Sequence, residues 1–172
     1  MVGTPGTLSW VPRLNITKTI AVTPTISTSA YTSGDQIGGI MTLSNVIRQD
    51  SQMNYGNNEI VSVTILDADK QNAAMDIWFF NQSPTVTSTD NAAFAMTAAN
   101  QAAQCIGVVS IGSSYSSAAA VSTSSDKNLN LPLQVPGTVA SPSNVYAIAI
   151  VRAAPTYTTT TSLQFQFSFF VD

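Results

Sequence analysis

The sequence has no histidine, a single cysteine and few charged side chains, and each of these shortages excludes something. Charged residues make up 9% of the 172 residues. Histidine is the side chain whose pKa ordinarily lies closest to neutral pH, so candidates for general acid–base catalysis are few. Cys105 has no second cysteine to pair with, so the fold must be stabilised by packing. These shortages favour a structural or binding module over an enzyme.

The residues that are present form no catalytic motif. Serine and threonine number 21 each, but no histidine can activate a serine and no Gly-x-Ser-x-Gly sequence occurs. Asp67 and Asp69, with Asp76 nearby, have carboxylate oxygens that a hard cation could bind. The segment lacks the glycine and the terminal glutamate of a calcium-binding loop, however, and aspartates are common in turns. We therefore expect no catalytic residue, no cofactor and no metal ion.

The charge distribution argues against a nucleic acid or a membrane as the partner. Nine acidic and six basic residues give a net charge of −3. Residues 1–30 contain Arg13 and Lys18 and no acid, so the rest of the chain is acidic. Duplex DNA is held by many lysine and arginine contacts to phosphates. The uncharged stretch 91–125 is too rich in serine, asparagine and glutamine to cross a bilayer.

Short apolar and β-branched runs, separated by turn signals, predict an all-β domain over residues 31–172. We expect strands at 36–44, 59–66, 74–81, 105–111, 128–135, 145–151 and 163–171. The last is the clearest, because apolar and polar residues alternate along it. Thr97 can cap one short helix over 98–104. This pattern is typical of an antiparallel β-sandwich or jelly roll.

Residues 1–30 read as an extended N-terminal arm with three prolines and repeated threonines. Two arrangements remain open: the arm adds strands to a neighbouring chain, or it docks locally as the first strand of the same sandwich. In the first arrangement Arg13 and Lys18 would face an acidic surface. Trp10 would supply an aromatic contact, a residue type that is frequent at interfaces.

Phe170 breaks the alternation of the last strand. It falls on the face that carries Gln164 and Gln166, opposite Phe169. A large apolar side chain on a polar face more often marks a contact than an error. We therefore predict a homo-oligomer with Phe170 among its candidate protein contacts.

Aromatic residues outside the predicted strands allow a second function, the stacking of sugars. Trp10, Tyr55, Tyr115 and Tyr157 fall in predicted loops or in the arm. Trp78 lies inside an apolar run and is predicted to be core. The first four could form a carbohydrate-binding platform on a β-sandwich.

Several short segments between about Tyr31 and the C-terminus form a recognisable set: 30–39, 65–71, 75–81 with Pro84, 89–93, 106–109, 130–133, 151–152 and 155–157. Together they resemble a small virion protein of many tailed bacteriophages. Members of that group are capsid decoration, cement or other auxiliary head proteins. The arm before Tyr31 lies outside the similarity.

The resemblance implies a β-sandwich that assembles as an oligomer, commonly a trimer, on the capsid exterior. Our first hypothesis is therefore a non-enzymatic decoration or cement protein, bound to the major capsid protein on the outer surface of the virion. A dimer is the next oligomeric state to consider. The alternative hypothesis is a glycan- or receptor-binding head-fibre or tail module of the virion.

Overall fold

A computed structural model describes residues 16–47, 58–99, 105–133 and 143–171, which form nine antiparallel strands in two sheets. The strands are β1 (Ile16–Val22), β2 (Gln36–Ile47), β3 (Glu59–Asp67), β4 (Met75–Phe80), β5 (Cys105–Ile111), β6 (Ser116–Ser117), β7 (Ser122–Pro132), β8 (Ser143–Val151) and β9 (Leu163–Val171). One sheet has the order β1-β9-β3-β7-β6 and the other β2-β8-β4-β5. The predicted all-β antiparallel sandwich is confirmed.

The strand pairing is nested about the middle of the chain. β1 pairs with β9, β2 with β8, β3 with β7, and β4 with β5. Apart from the two-residue β6, each strand thus pairs with the strand at the same distance from the centre of the order. Because the pairs alternate between the two sheets, the chain wraps as one long folded hairpin, which is the arrangement of a jelly roll.

The core between the sheets is built from alternate residues of each strand. On β9, in the centre of its sheet, Phe165, Phe167 and Phe169 are fully buried. Phe79 of β4 meets Phe167 edge-on across the core, with 5.8 Å between the ring centroids. The alternation predicted for the last strand therefore places its phenylalanines between the two sheets.

A second hydrophobic cluster covers the outer face of the four-stranded sheet. Phe80 of β4 and Ile148 and Ile150 of β8 point away from the main core, yet all three are buried. The cover is the described part of the β4–β5 connection, residues 81–99, which we call the strap. It packs Val86, Phe94 and Met96 against this face. One sheet is therefore covered on both faces.

The strands differ from the sequence expectation between 112 and 127. No strand was expected there, but Ser116 and Ser117 form β6 and β7 already begins at Ser122. Serine and threonine fit a half-buried edge strand once a neighbouring strand supplies the hydrogen bonds. Of the short helix expected over 98–104, the structure describes only residues 98 and 99, which are helical, and residues 100–104 lie outside the described residues. No helix within the four described ranges is long and apolar enough to span a membrane.

The second half of the arm docks locally. Residues 16–22 are β1, in continuous register with β9 from Ile16 opposite Val171 to Val22 opposite Phe165. Beyond the strand, Ile26 is buried in the main core, and its N–H donates to the carbonyl of Thr160 at 3.0 Å. Residues 1–15, with Trp10 and Arg13, lie outside the described residues.

Gly38 is predicted to be required by the fold. It has a φ of +67°, and a Cβ at this position would lie 2.6 Å from Cβ of Pro24. We expect Gly38→Ala to lower the free energy of unfolding by roughly 2–4 kcal/mol, through left-handed strain and overpacking. Gly39→Ala is the matched control, because a Cβ there meets nothing within 4 Å. Equal stabilities of the two variants in urea unfolding would contradict this prediction.

Candidate interaction surfaces

Aspartate carboxylates organise the turns at one end of the sandwich. Asp67, at the end of β3, is fully buried and accepts the N–H of Asp69 at 3.0 Å and the N–H of Asn72 at 2.9 Å. Burial raises the pKa of the Asp67 carboxyl, and these backbone donors oppose that shift. The carboxylate thus replaces the strand partners that the chain loses as it turns.

Asp69 binds the loop between β8 and β9. Its Oδ2 accepts the hydroxyl of Ser162 and the N–H of Thr158, both at 2.6 Å, and its Oδ1 accepts the hydroxyl of Thr158 at 2.7 Å. The Ser162 hydroxyl contributes most to a pKa of Asp69 that lies below its usual value. The turn after β3 and the turn before β9 are therefore held together by one side chain.

Asp90 plays the same part for the strap. Its Oδ1 accepts the hydroxyl of Tyr31 at 2.7 Å and the N–H of Gly38. The strap is also joined to the main chain around Gln36, which donates its N–H to Ala92 and accepts that of Asn91, both at 2.9 Å. Burial and the Asp90 contact raise the pKa of Tyr31 well above its usual value.

The aspartates considered as cation ligands are thus divided among separate structural contacts. Asp76, on β4, pairs with Arg152 at 2.6 Å and accepts the hydroxyl of Ser110 at 2.7 Å. Within the described part of the chain, no three acidic or cysteine side chains come together as a metal site would require. What these carboxylates do in this structure is order turns.

The sequence also contains one Ser-x-x-Lys spacing, at Ser124 and Lys127, which in some enzymes places a lysine beside a nucleophilic serine. Both residues lie on β7, where side chains three positions apart point to opposite faces. Ser124 is nearly buried and donates to the carbonyl of Ser114 at 3.1 Å, whereas Lys127 is exposed. The lysine therefore does not face the serine hydroxyl.

Two of the four aromatic residues predicted to form a sugar-binding platform pack into the protein instead. Tyr157 was placed in a loop, but its side chain is 1% exposed and packs edge-on against Tyr31, with ring centroids 6.1 Å apart. Tyr115 is half-buried, and its hydroxyl donates to the carbonyl of Ala73 at 2.9 Å. Both residues lie outside the strands, as predicted, but their side chains pack against the main core. Trp10 and Tyr55 lie outside the described residues.

Phe170 does lie on the outer face of the five-stranded sheet. It is half-buried, between Thr17 of β1 and Glu59 of β3 in the strand register. The same face carries hydroxyl and amide side chains and few charges. Its members on the paired strands include Thr19, Ser62, Thr64, Ser125, Gln164, Gln166 and Ser168. The predicted position of Phe170 on a polar face is correct; its role as a contact stays a prediction.

Lys18 is engaged inside the molecule. Its Nζ donates to the carbonyl of Ser44 at 2.9 Å and to that of Asn45 at 3.2 Å, both on β2. The side chain therefore joins the edges of the two sheets. Lys18 lies opposite Phe169 on the inward side of β1, whereas Phe170 lies opposite Thr17 on the outer face, so these two predicted contact residues point to opposite sides of the sheet.

Two large apolar side chains are exposed on the edge strands of the four-stranded sheet. Val108 of β5 is 44% exposed and Ile40 of β2 is 36% exposed; these are the two exposed large hydrophobic residues within the described ranges. Trp78 lies opposite Val108 in the strand register and packs against Phe94 of the strap, with ring centroids 5.6 Å apart. Trp78, predicted as core, is therefore half-buried in the second cluster.

Asp67 and Asp69 should respond to acid in opposite ways. The pKa of Asp69 is lowered by folding, so its stabilisation is present above about pH 4 and is lost as the pH falls through the folded pKa. The pKa of Asp67 is raised, so its contribution is present below about pH 4 and is lost as the pH rises through the folded pKa. Asp69→Asn should therefore flatten the acid side of the stability curve, and Asp67→Asn should steepen it.

The measurement is the free energy of unfolding in urea from about pH 2 to about pH 7, a range that brackets the carboxyl titration. Only the slopes are compared, because either substitution also changes the stability at neutral pH. Curves for the two variants that run parallel to the wild-type curve would contradict the assignment.

Comparison with known proteins adds little to this description. No protein-family model matches the chain, and no curated protein matches it. Among solved structures, a chain from Desmodium yellow mottle tymovirus is similar at a TM-score of 0.28 and 12% identity, covering 99% of this chain and 92% of that chain. A likeness at this level carries no argument about function, so the chain's own strand pairing and contacts are what characterise it.

Proposed function

We propose that this chain is a non-enzymatic structural protein of a virion, a decoration or cement protein on the outside of a phage head. The observation that carries the proposal is the nested strand pairing, because jelly rolls recur in viral capsid domains. One fold serves many functions, so topology alone selects no task. Among the functions that a jelly roll can serve, the sequence resemblance to auxiliary head proteins favours decoration or cement.

The proposed mechanism is mechanical. A rigid sandwich that binds the assembled major capsid protein, and not its separated subunits, shifts the equilibrium toward the shell by mass action. Two features suit this role: loops held in place by Asp67, Asp69 and Asp90, and an outer face around Phe170 that carries few charges. The acidic body suits the exterior of the shell, since packaged DNA lies inside.

The alternative is a glycan- or receptor-binding module of the head fibre or tail. Jelly rolls also form lectin domains, so the topology is compatible with it. Two of the four aromatics predicted for sugar stacking, Tyr115 and Tyr157, instead pack into the protein. This weakens the observation on which the alternative rested and leaves decoration as the preferred function.

Purified virions of the phage that encodes the chain test the proposal directly. Mass spectrometry should detect the protein, and gel densitometry against the major capsid band should give copy numbers comparable with the number of capsomers. A few copies per particle would favour the fibre or tail module. Absence from the particle would refute both candidates.

Deleting residues 1–15 removes the part of the arm that precedes β1 and tests whether it contributes to shell binding. The truncation leaves β1 intact, so we expect the remaining domain to keep the melting temperature of the full chain. If the arm tethers the domain to the shell, binding to expanded empty shells should weaken, and the binding that remains should depend less on salt because Arg13 is lost. Unchanged binding would show that the arm is not a tether.

Phe170→Ala tests the outer face of the five-stranded sheet. Phe170 is half-buried, so we expect a loss of stability of about 1 kcal/mol or less, but a roughly tenfold or greater weakening of shell binding. Phe169→Ala is the contrasting variant. Its side chain is fully buried, and its loss should cost about 3–5 kcal/mol of folding stability. Shell binding unaffected by Phe170→Ala would remove this face from the interface.

A further inference from the structure

Within the described residues, the two sheets have four lateral edges, and three of them carry features that hinder pairing with another strand. The edges are β1 and β6–β7 in one sheet and β2 and β5 in the other. Edge strands expose unpaired backbone groups, and proteins protect them with bulges, inward charges or short covering strands. A further strand is added most easily at an edge that lacks these features.

β1 is protected by Lys18, a charge on the inward side of the strand that is bound to the carbonyls of Ser44 and Asn45. β2 is interrupted by two register shifts, and Asn45 within it has a φ of 57°. β7 is covered at one end by β6. At its other end it bulges where Asn128 and Asn130 take positive φ values.

β5 differs from the other three edges. Its one register shift lies at the start, next to Cys105, and Gly107–Ile111 then pairs regularly with Phe79–Met75 of β4. The strand contains no proline and no charged residue. It also carries Val108, which at 44% is more exposed than any other large apolar residue in the described ranges. An open, uncharged, apolar edge of this kind is a template for strand addition.

We propose that β5 pairs with β5 of a second copy of this chain, antiparallel about a two-fold axis. The two four-stranded sheets would then continue into one sheet of eight strands, with Val108 of both copies on the same outer face. This makes the dimer, and not the trimer implied by the resemblance, the basic assembly. The inference does not depend on the proposed virion function.

A second copy is the occupant because the edge complements itself. Residues 105–111 carry no charge, so pairing them with their own copy opposes no like charges. The nearest charged side chains on the same face, Asp76 and Arg152, already neutralise each other at 2.6 Å. A two-fold pairing also covers the β5 edge of both copies. Assembly therefore stops at two chains instead of growing into a fibre.

The test compares two lysine substitutions by light scattering and sedimentation over a wide range of concentrations. The wild-type chain should be a dimer. Val108→Lys places like charges across the axis and should raise the dimer dissociation constant at least about tenfold. Ile40→Lys is the matched control, because Ile40 is the other exposed apolar residue and lies on the opposite edge of the same sheet. It should leave the dimer intact.

A conservative pair of variants keeps the test decisive if Val108→Lys misfolds. Val108→Cys should be joined efficiently by a short bis-maleimide reagent, whereas Ile40→Cys should behave as the wild-type chain with Cys105 alone does. A monomeric wild type, a trimer insensitive to Val108→Lys, or equal cross-linking of the two cysteine variants would each overturn the proposal. Shell binding is measured separately, so failure here would leave the proposed function standing.

Discussion

The packing of β9 between β1 and β3, and of its aromatic face against the opposite sheet, is the contact on which the rest of the fold depends. Phe165, Phe167 and Phe169 fill the core at successive inward positions, and Phe165 and Phe167 stack nearly parallel at 6.3 Å. Burying three phenylalanines contributes roughly 5–9 kcal/mol before chain entropy is subtracted. Since no disulfide can form, this burial is what holds β9 in the core, where β9 pairs with β1.

The turns are stabilised by a different interaction. Three aspartates accept backbone and hydroxyl donors at distances near 2.6–3.0 Å, and each joins parts of the chain that are far apart in sequence or closes a sharp turn. Hydrogen bonds to a charged acceptor are stronger than neutral ones, so few charges suffice to fix these loops. Each of these three carboxylates has two or more donors.

Much of the fold follows from the sequence because strand patterns are local. The bounds expected for β5 and β9 are those found, since each is an apolar run with clear turns on either side. β6 was missed because its two serines show no apolar alternation. The strap was missed because the face it covers includes Ile148 and Ile150, which are far away in the chain. Tyr157 was misjudged for the same reason: a loop position is read from local turn residues, but its burial depends on Tyr31. Of the candidate contacts, the face of Phe170 followed from alternation, whereas the internal bonds of Lys18 to β2 required the register of two sheets.

The nested order of the strands also constrains when each part of the chain can fold. β4 and β5 are close in sequence and can pair early, whereas Thr19 and Ser168, which are bonded at 3.1 Å, are separated by 149 positions. Closing so long a loop is costly, and folds rich in such contacts form slowly. β1 has β9 as its strand neighbour in the described sheet, and β9 follows the other eight described strands in the chain. β1 must therefore wait for β9, so the newly made chain exposes the apolar residues Ile20 and Val22 until β9 has been synthesised.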